Sequence, residues 1–266
     1  MNCKNCHTEL TSESNFCNNC GGKVIRNRLS FKNLFEHISE TFFNYDNKLL
    51  RTFIDLFKKP EAVIDSYVQG VRKRYVNPLS FLGITLTLSG LSIFIIKKYY
   101  LEYLDFSKLF TAEIFNNPTS QQMLADMANG GGGAFEYNSL IISAMIPLLA
   151  IVSAVVFYDK RYNLTEHIIL YMYSMSALLS ASVIIGMLVL LAIPEHYLIY
   201  SMLFYVIIFA YHCYALKRIF KLSALQLFLK VLLFFAVFIA LYIILVIIMT
   251  IFLIATGGIK DYIPKK

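Results

Sequence analysis

The chain has 266 residues, 58% of them hydrophobic and 15% charged, with a formal net charge of +7 and a mean hydropathy of +0.60. Ordinary soluble domains carry about 25% charged residues, so this composition excludes that class. Five apolar runs, each near the roughly 20 residues a helix needs to cross a bilayer, predict an all-α polytopic membrane protein, preceded by a small cysteine-bearing N-terminal segment and amphipathic helices.

Residues 1–24 carry Cys3-x2-Cys6 and Cys17-x2-Cys20. Two such turns offer four thiolates to one tetrahedral ion, the donor set of structural zinc, with no position left open for catalysis. A segment this short buries too little apolar area to fold alone, and metal binding worth about 10–16 kcal/mol supplies the missing stability. Gly21 and Gly22 follow the second turn, where positive φ is needed. The first turn has His7 there; with four cysteines already satisfying the ion, His7 is read as a neighbour. The rivals are rubredoxin-like iron, for which no redox partner is evident, and two disulfides, which need an oxidising compartment. Cys213, within an apolar run, reads as an ordinary buried small residue.

Residues 25–78 read as a basic linker (23–29) and three amphipathic helices. Ser30 caps the first, whose apolar face is Phe31, Leu34, Phe35, Ile38 and Phe42. The second sets Leu49, Leu50, Phe53, Ile54 and Phe57 against Lys48, Arg51, Asp55 and Lys58. Such helices lie flat on a leaflet or pack on the ends of the spans, and the spacing leaves both open. Pro60 and Glu61 begin the third, with Val63, Ile64, Tyr67, Val68 and Val71 on its apolar side and Gly70 interrupting it. Arg72, Lys73 and Arg74 then precede the first span. Beside a bilayer, each cation contributes about 1 kcal/mol toward anionic headgroups, which makes lipid a better partner for this run than nucleic acid.

The spans are expected at residues 79–96, 139–158, 168–193, 197–214 and 227–255, within a 79–266 bundle. Asn77 and Pro78 open the first as N-cap and first helical residue, and Pro147 is expected to kink the second. With no tryptophan among the residues and 18 tyrosines, the interfacial belt falls to Tyr99, Tyr100, Tyr158, Tyr162, Tyr171, Tyr197 and Tyr214. Lys160 and Arg161, and Lys217, Arg218 and Lys221, mark two basic loops, whereas residues 194–196 carry none. By the positive-inside rule the N-terminus is then cytoplasmic and the C-terminus external, in a bacterial inner membrane. The 12 Lys and Arg ahead of the first span agree with this; Lys97, Lys98, Lys260, Lys265 and Lys266 count against it. No signal peptide precedes the ribbon, so the first span is expected to act as the targeting signal. The run Gly130 to Gly133 reads as a hinge in the long external loop, since no P-loop Lys-Ser/Thr comes after it.

Apart from Lys230, placed to snorkel near the start of the fifth span, no Asp, Glu, Lys or Arg lies within the runs, which argues against an ion-coupled pump. Ser174, Ser176, Ala177, Ser180, Ala181, Ser182 and Gly186 on the third span suit close helix packing. Glu36-His37, Glu166-His167 and Glu195-His196 cannot converge under the predicted topology, and read as interfacial hydrogen-bonding pairs. No zincin, nucleophile-elbow or Walker motif occurs.

The residues Arg51-Thr52, Leu56, Pro60, Tyr67, Gly70, Arg72, Arg74-Tyr75 and Asn77-Pro78, preceded by the paired Cys-x2-Cys, resemble the bacterial domain-of-unknown-function family 3667. Those are multi-spanning membrane proteins, often with an N-terminal zinc ribbon. The resemblance implies fold and placement and supplies no activity; His7 departs from the glycine common in such ribbons. The functional expectation is a non-enzymatic scaffold or adaptor whose zinc ribbon and amphipathic collar recruit a cytoplasmic protein or lipids. The alternative is a transporter or channel for an uncharged or lipid-like solute, with Ser174, Ser180, Ser182, Tyr171 and Tyr205 as its polar path. A membrane enzyme is the third reading.

Overall fold

The computed structural model describes residues 1–22, 24, 48–100, 103 and 137–255. The linker, the Ser30 helix, Glu36-His37, the Gly130 to Gly133 run and the C-terminal lysines lie outside them. The chain divides into two compact units, residues 1–47 and 48–266. In the first, the described residues form two cysteine turns and include an antiparallel bridge between Asn2 and Glu9.

The second unit is helical throughout its described length: α1 Lys48–Lys58, α2 Pro60–Val68, α3 Pro78–Tyr99, α4 Asn138–Val156, α5 Leu164–Ala192, a 3-10 turn Pro194–His196, α6 Tyr197–Phe220 and α7 Ala224–Ala255. Five of these are long and apolar enough to span a membrane, which supports a multi-pass membrane protein. Several ends differ from the apolar runs because polar caps set them. Helix α5 starts at Leu164 because Asn163 and Glu166 form a reciprocal capping box. Helix α6 continues through Lys217 and Arg218 to Phe220, where Lys221 enters the left-handed region at φ 50°. Asn77 accepts from Leu79 N–H and Pro78 opens α3. Pro147 lies inside α4, which continues past it to Val156.

Helix α5 is the axis of the bundle, with α3, α4 and α6 packed on it. Its small residues let α3 approach closely: Ser174, Ser176, Ala177 and Ser180 are buried, and Thr85 Oγ1 lies 2.9 Å from Ser180 Oγ while donating to Phe81 O. The main core lies at the end that carries α1 and α2, joining Leu56, Val63 and Ile64 to Val152, Val156, Phe157, Leu170, Tyr173, Ala215 and Phe220. At the opposite end the core shrinks to Ile96, Leu190 and Leu198.

Helices α1 and α2 pack as a collar on the span ends. Their buried stripe differs from the hydrophobic pattern: Thr52 and Leu56 are fully buried, whereas Leu50, Ile54 and Val71 are exposed. A polar residue enters the stripe because both of its hydrogen-bonding roles are filled there. The tyrosine belt is also corrected. Tyr158 and Tyr99 are exposed, but Tyr162 and Tyr171 point into the protein, one ring held by Asp65 and the other by packing in the core.

Candidate metal centre and the collar motif

The two cysteine turns are built alike. His7 N donates to Cys3 O at 2.9 Å and Gly21 N to Cys17 O at 2.9 Å; Cys3 N donates to Thr8 O at 2.8 Å and Cys17 N to Gly22 O at 2.8 Å. His7 therefore occupies the place of Gly21, and both have positive φ, 61° and 69°. The departure from glycine costs the turn strain without changing its shape.

The sulfur atoms of Cys3, Cys6, Cys17 and Cys20 all lie within 4.8 Å of one another. Cys3 and Cys20 sulfurs are 3.7 Å apart and those of Cys6 and Cys17 3.5 Å. Four thiolates at about 2.3 Å from a tetrahedral ion stand roughly 3.8 Å from each other, so this cluster could hold one metal ion with no open position. His7 contributes no atom to it. Asn19 Nδ2 donates to Thr8 Oγ1 at 3.0 Å, and the Thr8 hydroxyl and backbone N–H in turn lower the Cys6 thiol to about 6. Such outer partners orient metal ligands. At Cys17, backbone N–H groups of Cys20 and Asn19 favour the thiolate, but burial and the neighbouring sulfurs outweigh them and push the thiol up to about 11.

In the second unit the conspicuous residues of the 51–78 block are joints of the collar. Thr52 Oγ1 donates to Lys48 O at 2.7 Å and accepts from Val76 N at 3.0 Å. Leu56 carries its side chain into the core while its carbonyl accepts from Tyr211 OH at 2.9 Å, and Lys58 O accepts from Tyr214 OH at 2.9 Å. Gly70, at φ 98°, ends α2 with the paired bonds Gly70 N to Tyr67 O and Val71 N to Ser66 O, the arrangement in which glycine is favoured. Arg72 lies 3.8 Å over the Tyr67 ring and donates to Tyr67 O at 2.7 Å. Tyr75 donates to Asp55 Oδ2 at 2.9 Å, and burial with this neighbouring carboxylate raises its phenol.

Three acidic residues fix the collar and the loops to basic partners. Arg218 makes two bonds to the Glu61 carboxylate, at 2.5 and 3.2 Å, and holds that carboxyl below its usual range. Asp65 takes Arg161 at 2.6 Å and the Tyr162 hydroxyl. Lys230 binds Asp159 at 2.5 Å and Val156 O at 2.6 Å, so this residue of α7 caps the end of α4 besides reaching toward the surface. It also depresses the Asp159 carboxyl.

Of the proposed polar path, Ser174 and Ser180 are engaged within the bundle, Ser174 near His212 Nε2 at 3.3 Å and Ser180 with Thr85. His167 is fully buried with Nδ1 at 3.1 Å from Ser153 Oγ, and so is no interfacial group; its Nε2 and Ser176 Oγ have no hydrogen-bond partner among the described residues. Glu166 instead caps α5. Sequence reasoning missed His212, stacked on Tyr171 at 5.7 Å, because a single histidine in an apolar run gives no spacing to read.

No curated protein and no solved structure matches the chain. Residues 46–90 match the family model described as Protein of unknown function (DUF3667), which covers the collar and the first half of α3 and supports the resemblance carried by the 51–78 block.

Proposed function

We propose that this chain is a non-enzymatic adaptor of the bacterial inner membrane, its N-terminal ribbon folded around structural zinc on the cytoplasmic side and its C-terminus external. The observation that carries the reading is the convergence of four cysteine sulfurs within 4.8 Å, a donor set complete without substrate or water. A closed site supplies shape instead of chemistry, and a small zinc-built surface has binding as its natural use.

The collar supports the same reading. Its carbonyls accept from Tyr211 and Tyr214 and its carboxylates hold Arg218 and Arg161, so residues 48–76 form a rigid base beside the membrane. Arg72, Lys73 and Arg74 are exposed at the end of that base, where anionic headgroups attract cations by about 1 kcal/mol each. Cross-linking from the N-terminal region in cells tests the role. Wild type is expected to capture a cytoplasmic partner that Cys17→Ser does not; capture of the same proteins by both overturns recruitment through the ribbon.

A further inference from the structure

The spans do not close evenly around α5. Helices α4 and α6 each pack on α5 without forming an extensive pair with one another, and α7 bridges them. That bridge covers only one half of the bundle. Leu227, Phe234, Val237, Phe238 and Leu241 of α7 reach the core, whereas every described side chain of α7 from Tyr242 onward is exposed. Among the described residues, the interval between α4 and α6 is therefore covered by α7 near the collar and not in the half away from it.

Two cavities occupy this interval. One of about 420 Å³ lies in that half between α3, α4, α5 and α6, its lining including Asn138 and Tyr197 at the starts of α4 and α6. The other, about 270 Å³, lies nearer the collar beneath α7, lined by Phe234, Phe235 and His212. Met175, Tyr205 and Ile208 line both, so the cavities abut there. Ile141 and Tyr205 line the larger one from α4 and α6, helices long and apolar enough to cross a bilayer, and both are exposed. Among the described residues, no Asp, Glu, Lys or Arg lines the larger cavity.

We propose that the larger cavity binds one acyl chain of a bilayer lipid, entering sideways between α4 and α6. The volume lies within the range of about 300–1,000 Å³ typical of ligand pockets, and an opening toward hydrocarbon admits lipid tails in preference to water. An uncharged lining suits the chain itself. The amide of Asn138, already donating to Ser89 Oγ at 3.2 Å, belongs to the lining at the start of α4, where a lipid ester would accept from it. Gly186 makes the wall possible: a Cβ there would meet Tyr200 Cε1 at 3.1 Å and Tyr197 Cε2 at 3.3 Å. The site is independent of the ribbon and of the adaptor role.

The test uses the full-length protein in phosphatidylcholine vesicles doped with a phosphatidylcholine carrying a diazirine near one acyl terminus. After illumination, adducts are expected to concentrate several-fold on Met175, Leu179 and Ile208 over the lipid-facing Leu203 and Val206. Ser182→Phe, which fills the cavity while leaving the Ser182 carbonyl to accept from Tyr200, should reduce crevice adducts at least threefold; Leu188→Phe on the exposed face of α5 should not. Ile142→Phe fills from the opposite wall should the first variant misfold. Labelling spread evenly over exposed and crevice residues in wild type overturns the proposal, whichever variants fold.

Discussion

The hydroxyl of Thr52 stands between two backbones, giving its proton to Lys48 O at 2.7 Å and taking that of Val76 N at 3.0 Å. Both Thr52 and Val76 are buried, so this one side chain fastens the first collar helix to the chain entering α3. Tyr173 completes the joint by donating to Val76 O at 2.7 Å.

Removing the hydroxyl without changing the shape isolates the effect. Thr52→Val leaves a buried N–H unpaired, which costs about 1–3 kcal/mol, and Thr52→Ser should retain most of the stability. Chemical denaturation in detergent distinguishes them; equal midpoints for wild type and Thr52→Val would show that the joint carries no stability.

Acid should loosen the collar at Glu61. Arg218 lowers the Glu61 carboxyl from its ordinary value of 4.5, so the folded protein binds that proton less readily than the unfolded chain. The contribution is full above pH 4.5 and is lost as pH falls through the lowered value. Because Glu61 and Arg218 side chains are 27% and 49% exposed, solvent screening limits it to about 1 kcal/mol or less. Hydrogen exchange of residues 48–68 across this range should show falling protection, with a smaller pH dependence in Glu61→Gln.

The strain at His7 is also measurable. A left-handed backbone costs a non-glycine residue about 1–2 kcal/mol, partly offset in a glycine variant by the greater freedom of its unfolded chain. His7→Gly should therefore bind zinc as well as wild type or slightly better in a competition assay. The β-branched variant His7→Val should bind worse, since φ of 61° suits it poorly.

Withdrawing metal should act on one unit only. A zinc chelator, or Cys17→Ser, is expected to make residues 1–24 susceptible to protease while circular dichroism retains the helical signal of α1 to α7. Ribbon resistance that persists in chelator would count against metal as the source of its stability.

The sequence alone determined the features that local composition and spacing control. The length of the apolar runs is read directly from the energetic need to satisfy every backbone group in lipid, and each Cys-x2-Cys turn was legible because its two donors are only three residues apart. The Asn77-Pro78 start of α3 was legible for the same reason. Tertiary structure decided the features that depend on residues far apart in the chain: that Thr52 belongs to a buried stripe while Leu50 and Ile54 do not, that Tyr162 and Tyr171 turn inward, and that His167 and His212 lie within the bundle. Periodicity records how greasy a face is, but not which distant carbonyl or carboxylate will meet a hydroxyl. The larger cavity between α4 and α6 is the clearest case, since it lies in the half of the bundle where the described side chains of α7 beyond Leu241 are exposed, a change of surroundings that the apolar run 231–249 does not mark.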